Sequence, residues 1–121
     1  MKQTVVFDFD GVIHSYISGW CGPSVISDPP VPGIKEAIDS IRDAGYEVAV
    51  VSTRCATVQG RGSVEAWLLR NNIIVDKVCM EKPPAIVYID DRAICFDGNT
   101  TTLLSQIQTF QPWYKRTRSK I

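Results

Sequence analysis

Val5-Val6-Phe7-Asp8-Phe9-Asp10-Gly11-Val12 is the stretch that decides how this chain reads. Three apolar, β-prone residues run directly into two acids and a glycine. Continuous apolarity, as opposed to alternation, marks a strand buried on both faces, the kind found in parallel sheets. Asp8 and Asp10 are two positions apart at the strand's end, so their side chains start from the same face. Two close carboxylates repel unless a cation or a shared proton relieves them.

The same punctuation recurs downstream. Tyr46 to Val51 is apolar and ends in Ser52-Thr53-Arg54. Ile73 to Val75 and Val78 to Met80 offer a third strand, followed by Lys82-Pro83-Pro84. Ile86 to Ile89 is a fourth, ending in Asp90-Asp91-Arg92, and Ala93 to Phe96 is expected as a short fifth. Ile34, Ala37, Ile38, Ile41 and Ala44 repeat at helical spacing, with Pro32 near the start and Gly45 past the end. After a glycine-containing loop through Gly60, Arg61 and Gly62, Ser63 is the expected N-cap of a helix bearing Val64, Trp67 and Leu68. Thr101 to Phe110 reads as a last helix, with Leu103, Leu104 and Ile107 expected in the core. From Val12 to Pro32, six glycine and proline breakers leave an ordered loop or hairpin. Strands alternating with helices imply βαβ units and a parallel sheet. Such a sheet collects all strand C-termini on one edge, where ligands bind.

The chain has 121 residues, 45% hydrophobic and 21% charged, with 13 basic and 13 acidic side chains. This composition fits one soluble domain and excludes a strongly basic nucleic-acid coat. The neutrality hides an asymmetry. Lys115, Arg116, Arg118 and Lys120 form a basic tail without acids, and the remainder is mildly acidic. The tail, with Trp113 and Tyr114, is open to two readings: contact with a nucleic-acid backbone or a solvated terminus. Cys21, Cys55, Cys79 and Cys95 show no CxxC spacing, and Asp8 and Asp10 interrupt the first apolar run before it could act as a signal core. Reduced thiols in a cytoplasm and no membrane partner are the expectation.

The clustered acids are hard oxygen donors without matching His or Cys, a set that suits Mg²⁺. Phosphate-monoester transfer accounts for the remaining residue types. A carboxylate nucleophile needs positive charge to approach a phosphate dianion, a hydroxyl can donate to its oxygens, and a second carboxyl can move the proton.

The motifs resemble those of the haloacid dehalogenase-like (HAD) phosphohydrolase superfamily, in order from Val5 to about Gly98. Val5 to Val12 matches the DxDG motif, Val48 to Ser52 the strand ending in a hydroxyl, Lys82-Pro83 the lysine motif, and Val87 to Asp91 the strand ending in two acids. The resemblance implies a three-layer α/β/α, Rossmann-like parallel sheet of about five strands. It implies a catalytic domain over 1–112 with a short flap at about 12–31, and a tail at 113–121. No segment has room for a cap, as in small capless bacterial and bacteriophage members. By the same resemblance, Asp8 would be nucleophile and Mg²⁺ ligand. Asp10 would be general acid/base and offer its carbonyl to the metal. Ser52, Thr53 and Lys82 would hold the phosphoryl group. Asp91 would bind Mg²⁺ directly, with Asp90 in support.

The implied activity is Mg²⁺-dependent phosphatase chemistry through an aspartyl-phosphate. The substrate would be a small phosphate monoester, a nucleotide or a nucleic-acid end, and a second copy of the chain could cover the open site. The alternative is a non-catalytic phosphate- or metal-binding regulatory module. Arg54 and Arg92 could clamp phosphate or pair with nearby aspartates. Tyr16 and Trp20 could stack on a base or pack the flap. His14 is expected as an exposed flap residue.

Overall fold

Four short parallel strands, β1 (Thr4–Asp8), β2 (Glu47–Val51), β3 (Lys77–Cys79) and β4 (Val87–Ile89), form one sheet in the order β3-β2-β1-β4. The structure is a computed structural model and describes residues 2–115. Helix α1 (Ile34–Asp43) links β1 to β2, and α2 (Val58–Arg70) links β2 to β3. The chain divides into two compact units, Met1–Ile89 and Asp90–Ile121. The first holds the sheet with α1 and α2; the second holds α3 (Leu103–Thr109).

Register assigns each strand residue to a face. Val5 pairs with Val48 and Phe7 with Val50, so these four side chains share one side of the sheet. There they pack with Ile38 of α1 and Val64, Trp67 and Leu68 of α2. Burying each such aliphatic side chain stabilises the fold by about 1.5–3 kcal/mol. Val6, Ala49 and Val51 point the other way and pack with Ala85, in the connection from β3 to β4. Crossover handedness explains both placements. Right-handed steps from β1 to β2 to β3 put both helices on one face, and the return past β1 to β4 must then cross the opposite face.

The α/β class and the all-parallel sheet agree with the sequence, but the strand count does not. Ala93 to Phe96 forms no strand, leaving four strands instead of about five. Its Cys95 and Phe96 are exposed, so apolar content alone did not create a partner. The α2 boundary also differs. The helix begins at Val58, capped by the Thr57 hydroxyl, which accepts from the Gly60 amide at 2.9 Å. Gly60 and Gly62 are therefore helical and not a loop, and Ser63 is no cap. In α3, Leu104 and Ile107 are 66% and 62% exposed, so the core role expected for them does not hold.

All four cysteines are free thiols. Among the described residues no helix is long and apolar enough to cross a membrane. Of the basic tail at 113–121, residues from 116 onward lie outside the described residues; the Trp113 and Tyr114 rings meet edge-on at 5.6 Å.

Candidate active site

The strand order reverses between β1 and β4: from β1 the chain steps towards β2 and β3, then returns to the other side of β1. In open α/β sheets such a switch point is where ligands bind. Phe7 pairs with Ile89, so Asp8 and Asp90 are the next residues along two adjacent strands. One carboxylate oxygen each from Asp8, Asp90 and Asp91 lies within 4.8 Å of the others, and all three residues are half-buried. Three hard oxygen donors in this spacing could hold a metal ion. The Asp90 carboxylate also accepts from the Arg92 amide at 3.0 Å, an Asx turn that fixes the chain just after the strand.

Asp10 belongs to a different network. After β1 the chain turns sharply, the Ile13 and His14 amides both donating to the Phe9 carbonyl at 2.9 Å. This turn brings His14 back to Asp10, with Nδ1 to Oδ1 at 2.8 Å. The Asp28 amide donates to His14 Nε2 at 3.1 Å, which assigns the ring proton to Nδ1. The imidazole is buried, stacked on Phe9 at 5.6 Å and edge-on to Trp67 and Tyr16. The expectation of an exposed flap histidine is thus overturned: its four-residue spacing from Asp10 and its aromatic neighbours draw it inward. Asp28 is itself pinned, accepting from the Ser18 amide and hydroxyl at 2.7 Å each.

Arg54 completes this network. It lies in the 3-10 turn Thr53–Ala56, where the Ser52 hydroxyl accepts from the Arg54 amide at 3.1 Å. Its side chain is 0% exposed. Nε donates to Asp10 Oδ2 at 2.9 Å and Nη2 to Asp10 Oδ1 at 3.1 Å, a bidentate pair. Nη1 donates to the carbonyls of Gly22, Pro23 and Val25 at 2.8, 3.0 and 3.1 Å. The Trp20 ring covers the guanidinium at 4.7 Å while remaining 53% exposed. Of the two readings for Arg54, the geometry is that of pairing with an aspartate. Burial pushes the Asp10 carboxyl upward, but hydrogen bonds from His14 and Arg54 outweigh it and hold the group below its ordinary 3.8.

Ser52 is buried at the end of β2, whereas Thr53 is exposed. Lys82 is exposed, with its ammonium 5.5 Å from the centre of the Tyr88 ring. Tyr16 is half-buried with a left-handed backbone, φ 60°. Arg92 lines a pocket of about 490 Å³ with Ile94, Ile107, Phe110, Pro112 and Lys115. Sequence reasoning missed Asp28. Its signal was weak, a lone acid before two prolines.

Fold and site together define an α/β protein whose Rossmann-like parallel sheet carries an acidic cluster at its switch point. No protein-family model matches the chain, and no curated protein does. Among solved structures, a chain in the "Structure of Pnkp1/Rnl/Hen1 complex" is similar over 93% of the present chain, with a TM-score of 0.55 and 15% identity. The match spans 36% of that chain. The likeness is one of fold.

Proposed function

We propose that the protein is a Mg²⁺-dependent phosphohydrolase that cleaves a phosphate monoester through an aspartyl-phosphate on Asp8. The observation that carries this reading is the gathering of Asp8, Asp90 and Asp91 carboxylates at the switch point. With the Asp10 backbone carbonyl, these residues would hold Mg²⁺, which supplies the positive charge a carboxylate needs to approach a phosphate dianion. An Asp8 oxygen attacks phosphorus, and the bond to the leaving oxygen breaks with its electron pair. Asp10 gives that oxygen a proton. Asp10 then takes a proton from water as the water oxygen attacks phosphorus, which frees phosphate and restores the Asp8 carboxylate. Ser52, Thr53 and Lys82 hold the phosphoryl oxygens.

A nucleotide or nucleic-acid-end phosphate is the preferred substrate. The half-exposed Trp20 ring and the cations Arg92 and Lys115 beside apolar Ile107 and Phe110 support it. A reducing compartment such as the cytoplasm belongs to the same proposal. The deciding experiment is hydrolysis of an aryl phosphate and of mononucleotides with and without Mg²⁺, by wild type and Asp8→Asn. Mg²⁺-dependent turnover lost in the variant supports the reading, and a wild type inert to the whole panel overturns it.

One observation favours a second reading. His14 and Arg54 keep Asp10 ionised, whereas a proton donor must begin protonated. A metal- and phosphate-binding module without turnover would need no such donor. Calorimetric phosphate binding with Mg²⁺ in the absence of any hydrolysis would select it.

A further inference from the structure

We infer that the pocket lined by Arg92, Ile94, Ile107, Phe110, Pro112 and Lys115 seats a nucleotide carrying a second phosphate, either free or as the phosphodiester of a strand. The inference rests on the phosphohydrolase reading for the seat of the scissile phosphate. The pocket measures about 490 Å³, within the roughly 300–1,000 Å³ usual for ligand sites. Pro112 is buried, Ile94 and Phe110 are half-buried, and Ile107 stays 62% exposed, so an apolar surface faces water there. A nucleobase offers a flat face that covers such a surface. Arg92 and Lys115 bring two positive charges to the same lining, and no acid lines it among the described residues. The charge favours an anion over a neutral nucleoside. The apolar wall favours a nucleoside over inorganic phosphate.

The chain ties this pocket to the acidic cluster. Arg92 follows Asp91 directly, so their Cα atoms are about 3.8 Å apart. The Arg92 amide also donates to the Asp90 carboxylate at 3.0 Å, which holds one wall of the pocket against a member of the cluster. A nucleoside monophosphate places its one phosphate at the cation site. A second phosphate on the same molecule is what the pocket's positive charge adds affinity for. Arg92 meets it with a planar fork and Lys115 with a point charge.

Calorimetry on the Asp8→Asn protein with Mg²⁺ compares four probes without turnover: AMP, adenosine 3′,5′-bisphosphate, the 5′-phosphorylated dinucleotide pApA and inorganic pyrophosphate. The bisphosphate or the dinucleotide should bind about tenfold more tightly than AMP, the worth of one charge-assisted hydrogen bond. Whichever of the two binds more tightly names the source of the second phosphate. Pyrophosphate, with two phosphates and no base, should bind more weakly than either. Lys115→Ala and Arg92→Gln change exposed side chains, and each should cut the preference over AMP to about threefold or less. Added salt should shrink it as well. If Asp8→Asn is insoluble, the same ratios are read on the wild type in EDTA. Equal affinity for AMP and both doubly phosphorylated nucleotides overturns the assignment. So does a preference that survives in both variants, pyrophosphate binding as tight as the bisphosphate, or no binding of any probe. Aryl-phosphate hydrolysis by the wild type is scored separately. Turnover without the preference removes the pocket alone, and the preference without turnover removes the phosphohydrolase reading alone.

Discussion

Gly60, in the first turn of α2, lies against the backbone carbonyl of Arg54, leaving no room for a side chain between them. The helix thereby presses on the turn that carries the buried guanidinium. Gly60→Ala would drive a Cβ into main chain, which cannot rotate away. Overpacking of this kind costs about 1–3 kcal/mol. The urea midpoint of the variant should fall accordingly, even though alanine is the better helix former.

The acidic cluster makes a prediction about cations. Three carboxylates with oxygens within 4.8 Å of one another could hold a divalent ion. Mg²⁺ should raise the melting temperature of the wild type by mass action. Asp91→Asn should blunt that rise. Thermal scans across a Mg²⁺ series check both. A variant that keeps the full Mg²⁺ response would remove Asp91 from the site.

Asp76 makes a prediction about pH. Its carboxylate accepts from the Val48 amide at 2.7 Å and from Arg42 Nη2 at 3.2 Å, tying α1 and β2 to the start of β3. The Arg42 hydrogen bond, helped by the Val48 amide and opposed by burial, holds the carboxyl below its ordinary 3.8. A folded value below the unfolded one means the contribution is complete above 3.8 and is lost as pH falls through the folded value. Asp76→Ala should cost about 1 kcal/mol at neutral pH, most of it from the part-buried bond to the Val48 amide, since the exposed Arg42 pair is screened by solvent. Denaturation curves of the two proteins should converge in strong acid.

Phe9 separates the two aspartates and is itself fully buried, edge-on to Trp67 at 5.2 Å and stacked on His14. Phe9→Ala should lose about 3–5 kcal/mol. It should also free the His14 ring, seen as a shift of its imidazole NMR signals in whatever fraction stays folded.

Most of the sheet was legible because a strand buried on both faces leaves an uninterrupted apolar run, as in Val5-Val6-Phe7 and Val48 to Val51. The expected fifth strand at Ala93 to Phe96 did not form, since pairing depends on a neighbour that local composition does not encode. Helix α2 was misread at its start because glycine signals a loop by its own preference, while here Gly60 answers a packing demand from Arg54. The acids were legible as strand-end punctuation. The inward turn of His14 was not, because its burial depends on Trp67, more than fifty positions away. Arg54 could be read only as one of two options, since the carbonyls of Gly22, Pro23 and Val25 carry no side-chain signature.

The position of β4 has a kinetic consequence. Val5 in β1 pairs with Val87, the most distant partner in the sheet's sequence order. Until β4 arrives, β1 is an open edge of unpaired backbone groups, a template for association between chains. Such non-local pairing is slow because loop closure precedes its reward. Asp90 and Asp91 are carried in by that same late event. Recovery of the Mg²⁺ response predicted for that cluster should therefore time the closing of the sheet during refolding.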